Sequence, residues 1–121
     1  PGVPAAIARP AAKAARSAGP SIDDLSRAAS TPDRNGFTRA GRNLQKRNDR
    51  ESVFSGAGNN PANLNRQAQF IVDDILTSPG TTSVNRHHAR FGDITEMRAP
   101  DGRGVRFSRD GQFINFLDPP P

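Results

Sequence analysis

The chain contains no cysteine, tryptophan or tyrosine and a single methionine among its 121 residues. Without cysteine there are no disulfides, no thiolate nucleophile and no cysteine-ligated zinc, and nothing would need reduction before the chain unfolded for transport between cells; a cytosolic working place is equally compatible. Hydrophobic residues make up only 33% of the chain, so a small core must rest on the seven phenylalanines and on scattered Ile, Leu and Val. No segment approaches the roughly 20 apolar residues that cross a bilayer. The Ala-rich start has prolines and arginines but no apolar h-region, so it does not read as a secretory signal.

Arginine is what the chain has in excess. It supplies 15 of the 17 basic residues, and the formal net charge is +5. Residues 1–50 carry ten basic and four acidic side chains, whereas residues 51–121 carry seven basic and eight acidic ones. An isoelectric point near 11.2 points to an anionic partner: nucleic acid, an acidic membrane surface or an acidic protein. The preference for guanidinium favours nucleic acid, because its planar fork binds phosphate bidentately and stacks on bases where an ammonium is a point charge.

Pro and Gly punctuate residues 1–20 around an Ala-rich stretch, which reads as a linker with a weak helix. Ser21 and Asp24 have capping-box spacing for a short helix to about Ala29, and "STPDRNG" at residues 30–36 breaks it. Residues 1–35 are therefore assigned to a linker with weak helices, and residues 36–121 to the functional domain. Thr38 can cap a second helix to about Asn48, with Ala40 and Leu44 inward and Arg39, Arg42, Lys46, Arg47 and Arg50 around the rest. Asn60 and Pro61 open a third helix whose stripe is Leu64, Ala68, Ile71, Val72 and Ile75, and Pro79–Gly80 closes it. Asn65 and Gln67 flank that stripe as possible substrate contacts. From Gly80 onward the apolar period shortens to two, and "PDG" and "RDG" mark hairpin turns. The expected fold is α+β: two principal helices packed on a small three- to four-stranded antiparallel sheet. Val105 and Phe107 then face the helices, while Arg106, Ser108, Glu96 and Arg98 face away. The apolar "QFINFL" reads as a strand that is central or covered on both faces.

A charged sheet face of this kind fits metal-independent RNA cleavage, in which a ribose 2′-OH attacks the adjacent phosphorus. The reaction needs a base, an acid and a cation on the phosphoryl oxygens. The candidate catalytic residues are His87, His88, Arg98, Arg106 and Lys46; the candidate substrate contacts are Arg42, Arg47, Asn65, Gln67, Arg86, Arg103 and Ser108. His87 and His88 are adjacent on a strand, so they point to opposite faces and at most one joins a given site. Taken singly, Arg98, Arg103 and Arg106 are ordinary turn or surface arginines; the argument rests on the set. No spaced third ligand makes the two histidines a zinc site, Asp73 and Asp74 read as a solvated helix face, and no metal or cofactor is expected. "GAGNNP" lacks the lysine and preceding strand of a phosphate-binding loop.

The segments "GFTRAGRNLQKR", "NPANLNRQAQFIVDDILTSPG", "RFGD" and "APDGRGVRFSRDGQFINFLDP", spanning about residues 36–119, resemble the C-terminal toxin domains of bacterial polymorphic toxins of the Rhs and contact-dependent-inhibition type. Their order is also similar to colicin D and to the barnase/EndoU/colicin/RelE-like ribonucleases. The resemblance implies an interbacterial ribonuclease delivered by a larger effector into the target-cell cytoplasm. It further implies cleavage of tRNA, neutralisation by a cognate acidic immunity protein, and no membrane insertion by this domain. Two departures stand out. Related domains often have Lys-His where this chain has Lys46–Arg47, which moves proton transfer to His87, His88 or Lys46, and Asn115 and Asp118 stand where Gly and Glu are expected. The competing readings are a DNA-directed or nucleotide-modifying toxin, which would show divalent-cation dependence if a DNase, and a non-enzymatic nucleic-acid-binding module, which would shift RNA on a gel without shortening it.

Overall fold

The computed structural model describes residues 20–48, 52–54 and 58–121. The Ala-rich linker helix and Arg50 lie outside the described residues. Helices α1 (Ile22–Ala29), α2 (Arg39–Asn48) and α3 (Pro61–Thr77) precede strands β1 (Thr82–His88), β2 (Gly92–Arg98), β3 (Gly104–Ser108) and β4 (Phe113–Leu117). Among the described residues no helix is long and apolar enough to cross a membrane.

Each helix starts where its sequence dictates. The Ser21 hydroxyl accepts the Asp24 N–H at 3.1 Å and the Asp24 carboxylate accepts the Ser21 N–H at 3.1 Å, so two orphan donors of α1 are satisfied reciprocally. Thr38 accepts the Gly41 N–H at 3.0 Å at the head of α2. Asn60 accepts the Asn63 N–H at 3.2 Å with Pro61 at the first turn of α3. The α3 stripe of Leu64, Ala68, Val72 and Ile75 is fully buried, with Ile71 packed beside it. Leu25 and Ala29 join the same core, so α1 packs with the segment that follows the "STPDRNG" break.

Asn65 belongs to this scaffold. Its Oδ1 accepts the Thr38 N–H at 2.9 Å and the Thr38 hydroxyl at 3.2 Å, and its Nδ2 donates to the Gly36 carbonyl at 2.9 Å. Expected as a substrate contact, it has both ends of its amide engaged in locking α2 onto α3. Gly41 makes the approach possible, since a Cβ there would lie 2.0 Å from Asn65 Oδ1 and 3.1 Å from Asn65 Cα.

The four strands run antiparallel in the order β1-β2-β3-β4. Val105 and Phe107 are buried as the alternation requires. In the β3–β4 register Phe107 pairs with Phe113 but Arg106 pairs with Asn115, which leaves Ile114 as the extra residue of a bulge. The bulge lets Phe113 and Phe116, three positions apart, both reach the core. Of the two alternatives for this strand, central or covered, the first is corrected, because β4 lies at the edge of the sheet. Its apolar content is explained by α2, which covers that edge: Asn43 Oδ1 accepts the Phe116 N–H at 2.9 Å, and the Arg47 guanidinium donates to the Phe116 carbonyl.

Candidate active site

The face of the sheet turned away from the helices is built by register alone. Val84, Glu96 and Arg106 are aligned across β1, β2 and β3, with Asn115 of β4 next in the row, and Arg86 aligns with Ile94 and Ser108. Glu96 is the hub. Its Oε2 accepts from Arg106 at 2.7 Å and 3.1 Å and from Arg86 at 2.8 Å. Burial pushes the Glu96 carboxyl up, but hydrogen bonds and charge from Arg106 and then Arg86 outweigh it and hold the group below the usual carboxylate range. An ionised carboxylate is thus held by two guanidiniums on the outer face of the sheet, where Glu96 and Arg106 are largely covered and Arg86 is exposed.

The β1–β2 turn folds toward this row. The Phe91 ring has the Arg90 guanidinium 5.2 Å and the Arg106 guanidinium 5.6 Å from its centroid, and the His88 ring 4.9 Å away. Ile94 is fully buried yet stands outside the main core, on this second face. Between the turn and α2 lies a cleft of about 300 Å³ lined by Asn43, Lys46, Arg47, Arg90, Phe91 and Asn115, together with Ile114. A second depression of about 280 Å³ continues along α2 past Arg39, Arg42 and Lys46. Lys46 is exposed and lines both. The row meets this cleft through Asn115, which pairs with Arg106, and through Phe91, which the Arg106 guanidinium approaches.

The two histidines take opposite faces, as expected from their adjacency. His87 is turned away from this surface and its Nδ1 lies 3.1 Å from Asp93 Oδ1. It therefore does not share the face of Glu96 and Arg106. His88 shares the face of Arg86, and its Nδ1 accepts the backbone N–H groups of Arg90 at 3.0 Å and Phe91 at 3.3 Å. A ring nitrogen that receives two N–H bonds carries no proton, so Nε2 is left as the donor. His88 thus shapes the turn and offers an N–H.

The arginines expected to act as a set do not converge. Arg98 donates to the Gly102 carbonyl at 2.8 Å and the Asp118 carbonyl at 3.1 Å, tying the β2–β3 turn to the segment after β4. Arg103 pairs with Asp74 of α3 and, at 2.7 Å, with Asp101. The Asp74 hydrogen bond raises the Arg103 pKa against the opposing effect of burial, and Asp101 adds to it. Arg98 shares the β2 face of Glu96 but is spent on those carbonyls, so of this set only Arg106 bonds to Glu96, joined there by Arg86. Ser108 is also reassigned, since its hydroxyl donates to Asp110 and accepts the Gln112 N–H at 3.0 Å inside the β3–β4 turn.

Arg47 lines the cleft but grips Asp118 at 2.7 Å as well as the Phe116 carbonyl, so it clamps α2 to the chain end. Arg42 lies 3.9 Å from Asp33 and faces the second depression. Gln67 sits on an exposed flank of α3, with the core between it and this face. Asp73 and Asp74 are not simply solvated: Asp73 accepts from Ser26 at 2.6 Å, tying α1 to α3. Among the described residues no group of His, Cys, Asp and Glu is arranged to hold a metal ion. Asn43, Arg90 and Phe91 were missed because nothing in their local pattern separates them from surface or turn residues; only the docking of α2 on β4 brings them together.

The position of Arg103 predicts a structural and not a catalytic role. Arg103→Ala is expected to cost about 1 kcal/mol of stability, the scale of a partly exposed pair, and to leave activity per folded molecule unchanged; urea unfolding and a cleavage assay on the same preparation check both.

The model of the CdiA C-terminal tRNase toxin domain matches residues 26–118 of the chain. Among solved structures, the chain is similar to the toxic C-terminal tip of CdiA from Pseudomonas aeruginosa, solved in complex with its immune protein. The identity is 28% and the TM-score 0.62, over 75% of this chain and 98% of that one. Comparison with curated proteins finds no match.

Proposed function

Because the chain belongs to the CdiA C-terminal tRNase toxin domains, we propose that it cuts tRNA on the outer face of its sheet, with Glu96 as the proton acceptor. The chain is an interbacterial toxin domain of the contact-dependent-inhibition kind, carried into the target cell by a larger effector, where it acts on cytoplasmic tRNA and is neutralised by an immunity protein.

The observation that carries the site is the single Glu96 oxygen shared by Arg106 and Arg86 beside the cleft that Lys46 lines. A backbone phosphate arriving there competes with the carboxylate for the two guanidiniums. As they turn to the phosphoryl oxygens, Glu96 loses the hydrogen bonds that depress its pKa and becomes more basic at the moment a base is needed. The ribose 2′-OH gives its proton to Glu96, the 2′-oxygen bonds to phosphorus, and the bond to the 5′-oxygen breaks. The Lys46 ammonium protonates that leaving oxygen, while Arg106, Arg86 and the His88 Nε2–H stabilise charge on the phosphoryl oxygens. Arg39 and Arg42 along α2 contact the backbone beyond the scissile bond and carry no sequence information themselves.

The test is incubation of the purified chain with tRNA in excess EDTA. The expected products are discrete fragments ending in a 2′,3′-cyclic phosphate and a free 5′-OH; cleavage that needs a divalent ion, or leaves a 5′-phosphate, overturns this mechanism.

A further inference from the structure

We propose that Phe91 and Asn115 form a nucleobase subsite beside the scissile bond, a proposal that rests on the tRNA-cleavage reading above. Of the phenylalanines among the described residues, Phe37, Phe54, Phe107, Phe113 and Phe116 are buried in the core and Phe70 is exposed on α3. Phe91 alone is half-exposed and lines the cleft. The backbone bonds that shape its turn run from the Arg90 and Phe91 N–H groups to His88 and do not involve the ring, whose neighbours are the cleft side chains His88, Arg90 and Arg106. The ring carries the Arg90 and Arg106 guanidiniums over it and the His88 ring beside it; a base that stacks there takes the place of one guanidinium, which then turns to the flanking phosphate. Single-stranded RNA is read in this way, by stacking of unpaired bases on aromatic side chains and hydrogen bonding to their edges.

The second observation is independent of the ring. Asn115 Oδ1 is buried without a hydrogen-bond partner among the described residues, and so is the Arg47 Nε on the facing helix. Buried polar atoms are nearly always paired, and an orphaned acceptor and an orphaned donor among the residues of one cleft match a ligand that presents both groups. A base edge does so. A cavity of about 150 Å³ holds a benzene ring, so the cleft of about 300 Å³ has room for a nucleobase. Asn43 cannot serve equally, because its Oδ1 is committed to the Phe116 N–H.

The test uses the whole chain and a synthetic tRNA stem-loop containing the mapped cleavage position, with and without an abasic sugar at each flanking nucleotide. Phe91→Leu keeps the apolar cover and removes the aromatic face; Phe91→Trp keeps the face. The expected result is that Phe91→Leu lowers kcat/KM about 10- to 100-fold on the intact substrate, and that Phe91→Trp stays within about threefold of the parent. On one abasic substrate the parent should lose a similar factor and Phe91→Leu should lose nothing more, since the two changes remove the same contact. Fully additive losses at both flanking positions, or no loss from either abasic sugar, overturn the subsite while leaving tRNA cleavage standing. Should Phe91→Leu not fold, the parent and Phe91→Trp on the abasic substrates decide the matter. Failure of the parent to cut any tRNA would instead remove the functional reading, and the subsite with it.

Discussion

Glu96→Gln is expected to lower the rate of tRNA cleavage by roughly 10³-fold, the scale of a lost general base. The change is nearly isosteric and the amide oxygen can still accept from Arg106, so the loss falls on proton transfer more than on architecture. The pH profile supplies a second readout. Because Arg106 and Arg86 outweigh burial and hold the Glu96 carboxyl below its usual range, the acid limb of kcat/KM in the parent should lie below the ordinary glutamate value of about 4.3. Glu96→Gln should abolish that limb. The stability linkage has the same sign: a folded-state pKa below the unfolded one stabilises the domain at neutral pH, and that contribution disappears as pH falls through the folded value. Arg106→Ala should slow cleavage by about 10²- to 10³-fold through loss of phosphoryl-oxygen stabilisation. Cleavage by Glu96→Gln at the parental rate would show that another group takes the 2′ proton.

The second large effect concerns folding. Gly41→Ala is expected to destabilise the domain by about 3 kcal/mol, the sum of overpacking at a tight helix contact and lost hydrogen bonds. The added Cβ would meet Asn65 Oδ1 at 2.0 Å and Asn65 Cα at 3.1 Å. The side chain can swing away only by releasing Thr38 and Gly36, and the backbone contact then still remains. Chemical denaturation midpoints of Gly41→Ala, Asn65→Ala and the double variant check this. The double variant should be less destabilised than the sum, because removing the amide relieves the closest contact; simple additivity would show that the two helices do not meet as described.

The helices could be read from the sequence because their signals are local. Ser21 with Asp24, Thr38, and Asn60 with Pro61 each complete a cap within three residues, and the Val105/Phe107 alternation assigns the two sheet faces from period two alone. The position of β4 was not readable in this way: an apolar edge strand covered by a helix has the composition of a central strand, and nothing in "QFINFL" announces that Asn43 and Arg47 will take its free edge. The site shows the same division. Arg106, Lys46 and the opposite facing of His87 and His88 follow from alternation and charge. Arg98, Arg103 and Asn65 carry the same residue types as a phosphate or base contact, and only the geometry shows them bound to backbone carbonyls, Asp74 and Thr38. Glu96 could be placed on the charged face by counting, but its role as hub needs Arg86 and Arg106 to arrive from both neighbouring strands.

Every strand of the sheet is hydrogen-bonded to the strand next to it in sequence. Such a meander can zip hairpin by hairpin, with no distant strand to wait for, and low contact order of this kind goes with rapid folding. A domain that regains its shape in a new cell benefits from that economy: the carboxylate and both of its guanidinium partners lie within Arg86–Arg106, so the reactive row is assembled as soon as the first three strands have closed.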